Sequence, residues 1–197
     1  MEPKNQKSEA ERQLAENIQA NEEFIKREYP NENFISNIKQ LQPKNKYSKG
    51  LLIPENVKVA ELRIPKNSEQ RRTLRKELKQ AGILSRQGNS VYLTPEPGSY
   101  KKRVADAMVN GIPFEFRNIT GKNRQVEQEF SDAKTKDKAA NVFMNIDSDL
   151  SKHEVWRRIV MVLDRHADYT GKIVVSFQGK SIYFLDTGIF REKKSLP

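Results

Sequence analysis

A chain of 197 residues, 36% of them hydrophobic and 31% charged, contains no apolar run approaching the ~18 residues needed to span a bilayer. Its first residues, MEPKNQKSEAERQ, lack the apolar core of a signal peptide, so a soluble, cytoplasmic chain with no membrane partner is expected. The absence of cysteine excludes disulfides, thiolate catalysis and a Cys-based zinc site, and with His153 and His166 as the only histidines any metal would sit on oxygen ligands, as Mg²⁺ or Mn²⁺ does.

The length and composition suit one globular domain of roughly 100 to 150 residues with an extension, rather than two domains. Residues 1–50 are rich in Asn, Gln, Glu and Lys. Within them 5–29 carries a weak helical pattern through Leu14, Ile18 and Phe24, and 40-QLQPKNKYSKG-50 has no periodicity. The expectation is a polar helix and a linker outside any core. From 57 the texture changes. The run 57-VKVAELRI-64 alternates as a short strand that Pro65 ends, and Ser68 is placed to cap a helix over 69–82. Leu74, Leu78 and Ala81 fall on one face of that helix, Arg and Lys cover the other, and Gly82 is the expected stop.

Three runs of strand composition follow, 89–96, 102–110 and 112–119, the last two joined by Asn110-Gly111, a strong hairpin signal. Val126, Phe130 and Ala133 mark a second amphipathic helix, and 140–147 reads as a buried strand. Ser151 and Glu154 form a capping box ahead of a helix over 152–166, with Val155, Ile159 and Leu163 on one face. Two strands, 172–178 and 180–186, meet at Gly179. The order from 57 onward is β-α-β-β-β-α-β-α-β-β, which predicts an α/β fold with a mixed sheet flanked by helices. The domain is expected over 57–190, with 1–50 an extension and 191–197 a tail.

The formal charge is +10, and its distribution is uneven. Residues 1–67 hold 12 Lys/Arg against 10 Asp/Glu and residues 125–197 hold 12 against 11, whereas residues 68–124 hold 12 against 5. A basic stretch of that kind points to a polyanion, DNA or RNA, or simply to a solvated basic surface. Arg71, Arg72, Arg75 and Lys79 on the 69–82 helix are the natural contacts to a nucleic-acid backbone, joined by Arg103, Thr120 and Lys122. Phosphate attraction depends on charge density, and the turn at 120–123 opens a helix where phosphate binding and simple capping are both open.

The basic stretch also contains an unusual acidic pair. A two-residue turn at Asn110-Gly111 would set Val109 against Ile112 and Asp106 against Glu115, while Glu115 and Arg117 share one face of their strand. Opposed carboxylates repel, at a cost up to about 1 kcal/mol, unless a cation lies between them. A divalent metal does this economically; so does a salt-bridge patch with Arg117 and Arg103. His166, at a helix end, fits a helix-dipole partner better than a catalyst, and Trp156 fits the core.

An Asp on one strand and Glu-x-Arg on the next, embedded in this element order, resemble the core of the PD-(D/E)XK nuclease superfamily. More narrowly, 103-RVADAMVNGIPFEFRNITG-121 followed by a helix, 141-NVFMNID-147, a helix and 173-IVVSF-177 resembles the C-terminal tRNase toxin domains of CdiA-type contact-dependent growth inhibition proteins. Related domains end phage head-morphogenesis and mobile-element proteins. The resemblance spans roughly 57–190. It implies a metal-dependent endoribonuclease acting on tRNA, with Asp106 and Glu115 ligating Mg²⁺ or Mn²⁺, the Phe116 carbonyl as third ligand, and Glu69, or else Glu77, completing the site. It also implies an immunity protein as partner and, for a delivered toxin, action in a recipient cytoplasm. The sequence departs from the family pattern in having Arg117 where the family has Lys and Ala105 where it has Pro. Arg117 can stabilise a phosphorane or orient water, but it is never deprotonated and cannot serve as a base. A non-catalytic nucleic-acid-binding module on the same fold, or an interaction domain of a phage or mobile element, are the alternatives.

Overall fold

A computed structural model describes residues 8–37, 46–48, 50–96, 105–135 and 141–187. Within them lie four α-helices, α1 (Glu9–Glu28), α2 (Ser68–Ser85), α3 (Asn123–Thr135) and α4 (Lys152–Arg165), and eight strands. The strands are β1 (Phe34–Ile35), β2 (Val57–Ala60), β3 (Val91–Leu93), β4 (Ala107–Val109), β5 (Ile112–Ile119), β6 (Asn141–Ile146), β7 (Lys172–Phe177) and β8 (Ser181–Asp186). From β2 onward the elements follow the order expected from the sequence, and the fold is α/β with mixed strand pairing.

The chain divides into two compact units, one made of Met1–Pro95 and Met108–Ile112, the other of Glu96–Ala107 and Pro113–Pro197. In the first unit β1 pairs antiparallel with β2, and β2 parallel with β3. Helix α2 connects β2 to β3 and buries Leu74, Leu78, Ala81, Ile83 and Leu84. Its cap is Asn67, whose side chain accepts from Gln70 N, rather than Ser68, which is the first helical residue. Nor does the helix stop at Gly82. It runs on to Ser85, and a Cβ at Gly82 would come within 3.0 Å of Pro54 Cγ, so the glycine permits a close helix approach instead of a stop.

Residues 9–28 are not an extension outside a core. Ser8 and Glu11 close a capping box, Asn21 and Ile25 are buried, and Tyr29, Ile35, Leu51 and Ile53 join the core of the same unit. Asn21 is the anchor. Its amide nitrogen donates to Ser90 O at 2.9 Å and Ser90 Oγ at 3.0 Å, and its oxygen accepts from Gly111 N at 2.7 Å. Glu22 extends the attachment by accepting from Lys58 Nζ at 3.1 Å and from the Tyr92 hydroxyl at 3.3 Å. The turn held by Asn21 has φ of 52° at Asn110 and 78° at Gly111, the type I′ pattern that Asn-Gly favours.

In the second unit β5, β6 and β7 run parallel and β8 returns antiparallel to β7. Parallel strands need crossovers, supplied here by α3 and α4. Val126 and Phe130 of α3 and Val155, Trp156, Ile159 and Leu163 of α4 pack on Val142, Met144 and Ile146 of β6 and Ile173 and Val175 of β7. Ser151 and Glu154 form the expected capping box on α4, and His166 is its C-cap residue, donating its N–H to the Val162 and Leu163 carbonyls.

Candidate functional site

Strand register decides where the acidic pair points. Glu115 lies beside Val142, Arg117 beside Met144 and Ile119 beside Ile146. Residues paired in a parallel ladder share a face, so Glu115 and Arg117 project onto the face that α3 and α4 cover. Phe114 and Phe116 take the other face, where Phe116 meets the Phe143 ring edge-on at 5.4 Å between centroids. Residues on both faces of β5 are buried, and Glu115 (4% exposed) and Arg117 (9%) are buried charges in a row that continues as core.

Such charges persist only when paired and hydrogen-bonded. Arg117 Nη2 donates to Glu115 Oε2 at 2.7 Å. Its Nη1 donates to the Phe116 carbonyl at 2.8 Å and to Asp106 Oδ2 at 3.3 Å. Its Nε lies 3.5 Å from Glu129 Oε2 on α3. The planar fork with five N–H donors suits this many-sided arrangement, which a lysine ammonium could not reproduce with all acceptors at once.

Asp106 does not stand on a strand opposite Glu115, as the two-residue turn predicts. It occupies a bend one residue before β4, and its Oδ2 accepts from the backbone N–H of Phe116 at 2.8 Å. A short acceptor side chain in a bend can satisfy a neighbouring backbone N–H and still turn toward a cation. The three oxygens that the family resemblance assigns to a metal, on Asp106, Glu115 and the Phe116 carbonyl, all accept from Arg117. These are hard donors suited in kind to Mg²⁺ or Mn²⁺. Among the described residues no group of three or more His, Asp or Glu side chains is placed to hold a metal ion. A metal on these oxygens requires that the guanidinium move.

The remaining expected residues belong to other elements. Glu69 belongs to the first unit, exposed in the opening turn of α2, where a carboxylate complements the helix dipole. Glu77 pairs with the buried Arg63 in that same unit. Arg72, Arg75 and Lys79 are exposed along α2 and Arg71 is half-buried there. Thr120 and Lys122 are exposed ahead of α3, but the N–H groups of Thr120 and Gly121 donate to Gln125 Oε1 at 3.1 and 2.7 Å, so the turn is capped by its own helix. Arg103 lies outside the described residues. Glu129 is the member that sequence reasoning missed. It sits between Val126 and Phe130, on a helix whose only legible feature was its apolar stripe.

Among the described residues no helix is long and apolar enough to cross a membrane. No family model matches this sequence, and no curated protein matches it. Among solved structures, the chain is similar to a chain of the CdiA-CT/CdiI toxin and immunity complex from Burkholderia pseudomallei, with 23% identity and a TM-score of 0.44, over 61% of this chain and 89% of that one. Likeness at that level decides nothing about activity.

Proposed function

We propose that this chain is a metal-dependent endoribonuclease of the tRNase toxin type, hydrolysing a phosphodiester bond at Asp106, Glu115 and Arg117. The observation that supports it most is the convergence of two carboxylates and the Phe116 carbonyl on one positive charge, the Arg117 guanidinium, in an α/β fold with mixed strand pairing. Asp106 and Glu115 would hold Mg²⁺ or Mn²⁺, which when bound supplies Lewis-acid polarisation of the scissile phosphate. The Phe116 N–H fixes the Asp106 carboxylate, so that oxygen is aimed before any substrate arrives. Arg117 remains cationic throughout and offsets charge gathering on the phosphoryl oxygens; it takes no proton. The exposed Arg72, Arg75 and Lys79 bind the RNA backbone through charge density, with Arg71, Arg103, Thr120 and Lys122 as further contacts. Glu69, in the opening turn of α2, is the further carboxylate that this reading assigns to the site. An immunity protein and a site of action in a recipient cytoplasm belong to this same reading.

The experiment is cleavage of total bacterial tRNA by the native chain, Asp106→Asn and Glu115→Gln. Loss of cleavage in both variants with circular dichroism unchanged supports the assignment, and undiminished cleavage by both removes it.

A second reading is favoured by the position of Arg117 itself. A guanidinium that takes all three oxygens is what a nucleic-acid-binding module would show if it kept the fold and gave up the metal. That module binds RNA with strong salt dependence and does not cut it with any divalent metal. A salt-insensitive interaction with a protein would instead favour a structural role in a phage or mobile element.

A further inference from the structure

Arg117 and a divalent cation compete for one set of oxygens, and like charges cannot share it. The side chain spends both Nη groups on Asp106, Glu115 and the Phe116 carbonyl, whereas Nε stands 3.5 Å from Glu129 Oε2, longer than a good hydrogen bond. Glu129 comes from a helix rather than from the sheet, and its side chain is 31% exposed, against 5% for Glu115 and 18% for Asp106. It is the acceptor of the cluster with room to follow a moving guanidinium.

Resting on the reading of Asp106 and Glu115 as cation ligands, we propose that Glu129 is the positioning residue that receives Arg117 when a divalent cation binds. Arg117 and Glu129 then form a built-in gate. In the closed state the guanidinium neutralises the ligand set; in the open state it pairs with Glu129, which keeps a cation beside the site while freeing the oxygens. The transfer is an exchange of ion pairs with no bond made or broken, and it gives Arg in place of Lys a purpose. A single ammonium lacks the spread of donors that keeps one edge near Glu129 while the other two nitrogens hold the ligands.

The test is Mn²⁺ affinity of the full chain by calorimetry, without substrate, in a double-mutant cycle of Glu129→Gln and Arg117→Gln, with Asp106→Asn as a control. The gate predicts that Glu129→Gln weakens Mn²⁺ binding about tenfold or more, that Arg117→Gln strengthens it, and that Glu129→Gln has little effect once Arg117 is gone. Equal loss on Glu129→Gln in both backgrounds makes Glu129 a direct ligand or a general source of charge and overturns the gate. Should Arg117→Gln fail to fold, unchanged Mn²⁺ affinity in Glu129→Gln alone overturns it too. Failure of the underlying reading looks different: Asp106→Asn then binds Mn²⁺ as tightly as the native chain, or no variant binds it at all.

Discussion

Replacing Asn21 by Ala removes three hydrogen bonds from a fully buried side chain, to Ser90 O, Ser90 Oγ and Gly111 N. The Ser90 carbonyl keeps a second donor in Asn110 N at 3.1 Å, so the chief orphan is the Gly111 N–H. At about 1 kcal/mol net per bond, with a further contribution from a donor left without its partner, the expected loss is about 2–4 kcal/mol. Helix α1 lies close against this turn: a Cβ at Gly111 would meet Ala20 Cβ at 2.9 Å. The assay is the urea midpoint at constant m, joined to hydrogen exchange of the amide at Gly111. The control is Gln19→Ala, on the exposed face of α1 and bonded to Glu23, which should stay within about 0.5 kcal/mol. A loss under about 1 kcal/mol for Asn21→Ala, with Gly111 still protected, would refute the view that α1 is part of the first unit rather than an appendage.

Two other perturbations probe the electrostatics. Arg158, and next Arg165, hydrogen-bond Glu127 and hold its carboxyl below the usual range, with burial working in the opposite direction. A depressed folded pKa means stability that is present above the unfolded carboxylate value of about 4.3 and is lost as pH falls through the folded one. The stability gap between native chain and Glu127→Gln should therefore be constant from about pH 6 to 8 and shrink on acidification below about pH 4; a gap that grows on acidification contradicts the pairing. On α2, replacing exposed Arg72, Arg75 and Lys79 together by Ala should lower the magnitude of the log-affinity versus log-salt slope for RNA by about 2 to 3, read by fluorescence anisotropy. An unchanged slope moves the backbone contacts elsewhere.

Much of the fold from β2 onward is legible because periodicity there is strong and local. Val155, Ile159 and Leu163 mark one helix face, Asn110-Gly111 has a single favoured turn, and Ser151-x-x-Glu154 announces a helix start. What escaped is tertiary. Helix α1 reads as polar because the residue at the centre of its buried face is Asn21, which is held by hydrogen bonds rather than by apolar area, although Ser8-x-x-Glu11 was a visible capping signal. Gly82 looks like a helix stop unless the approach of Pro54 is known. For the site, the shared face of Glu115 and Arg117 follows from strand alternation, but two things do not. Asp106 leaves the strand to accept a backbone N–H, and Glu129 arrives from a helix 12 residues further along. No spacing rule connects residue 117 to residue 129; only the packing of α3 on β5 does.

The measurement that bears most directly on the site is incubation of the native chain with total bacterial tRNA, with Mg²⁺, with Mn²⁺ and with EDTA, on a denaturing gel beside Asp106→Asn and Arg117→Lys. Cleavage by the native chain that needs the metal and is abolished by Asp106→Asn is the predicted result. Intact tRNA and intact DNA in every lane, Arg117→Lys included, would contradict a phosphodiesterase site at Asp106, Glu115 and Arg117.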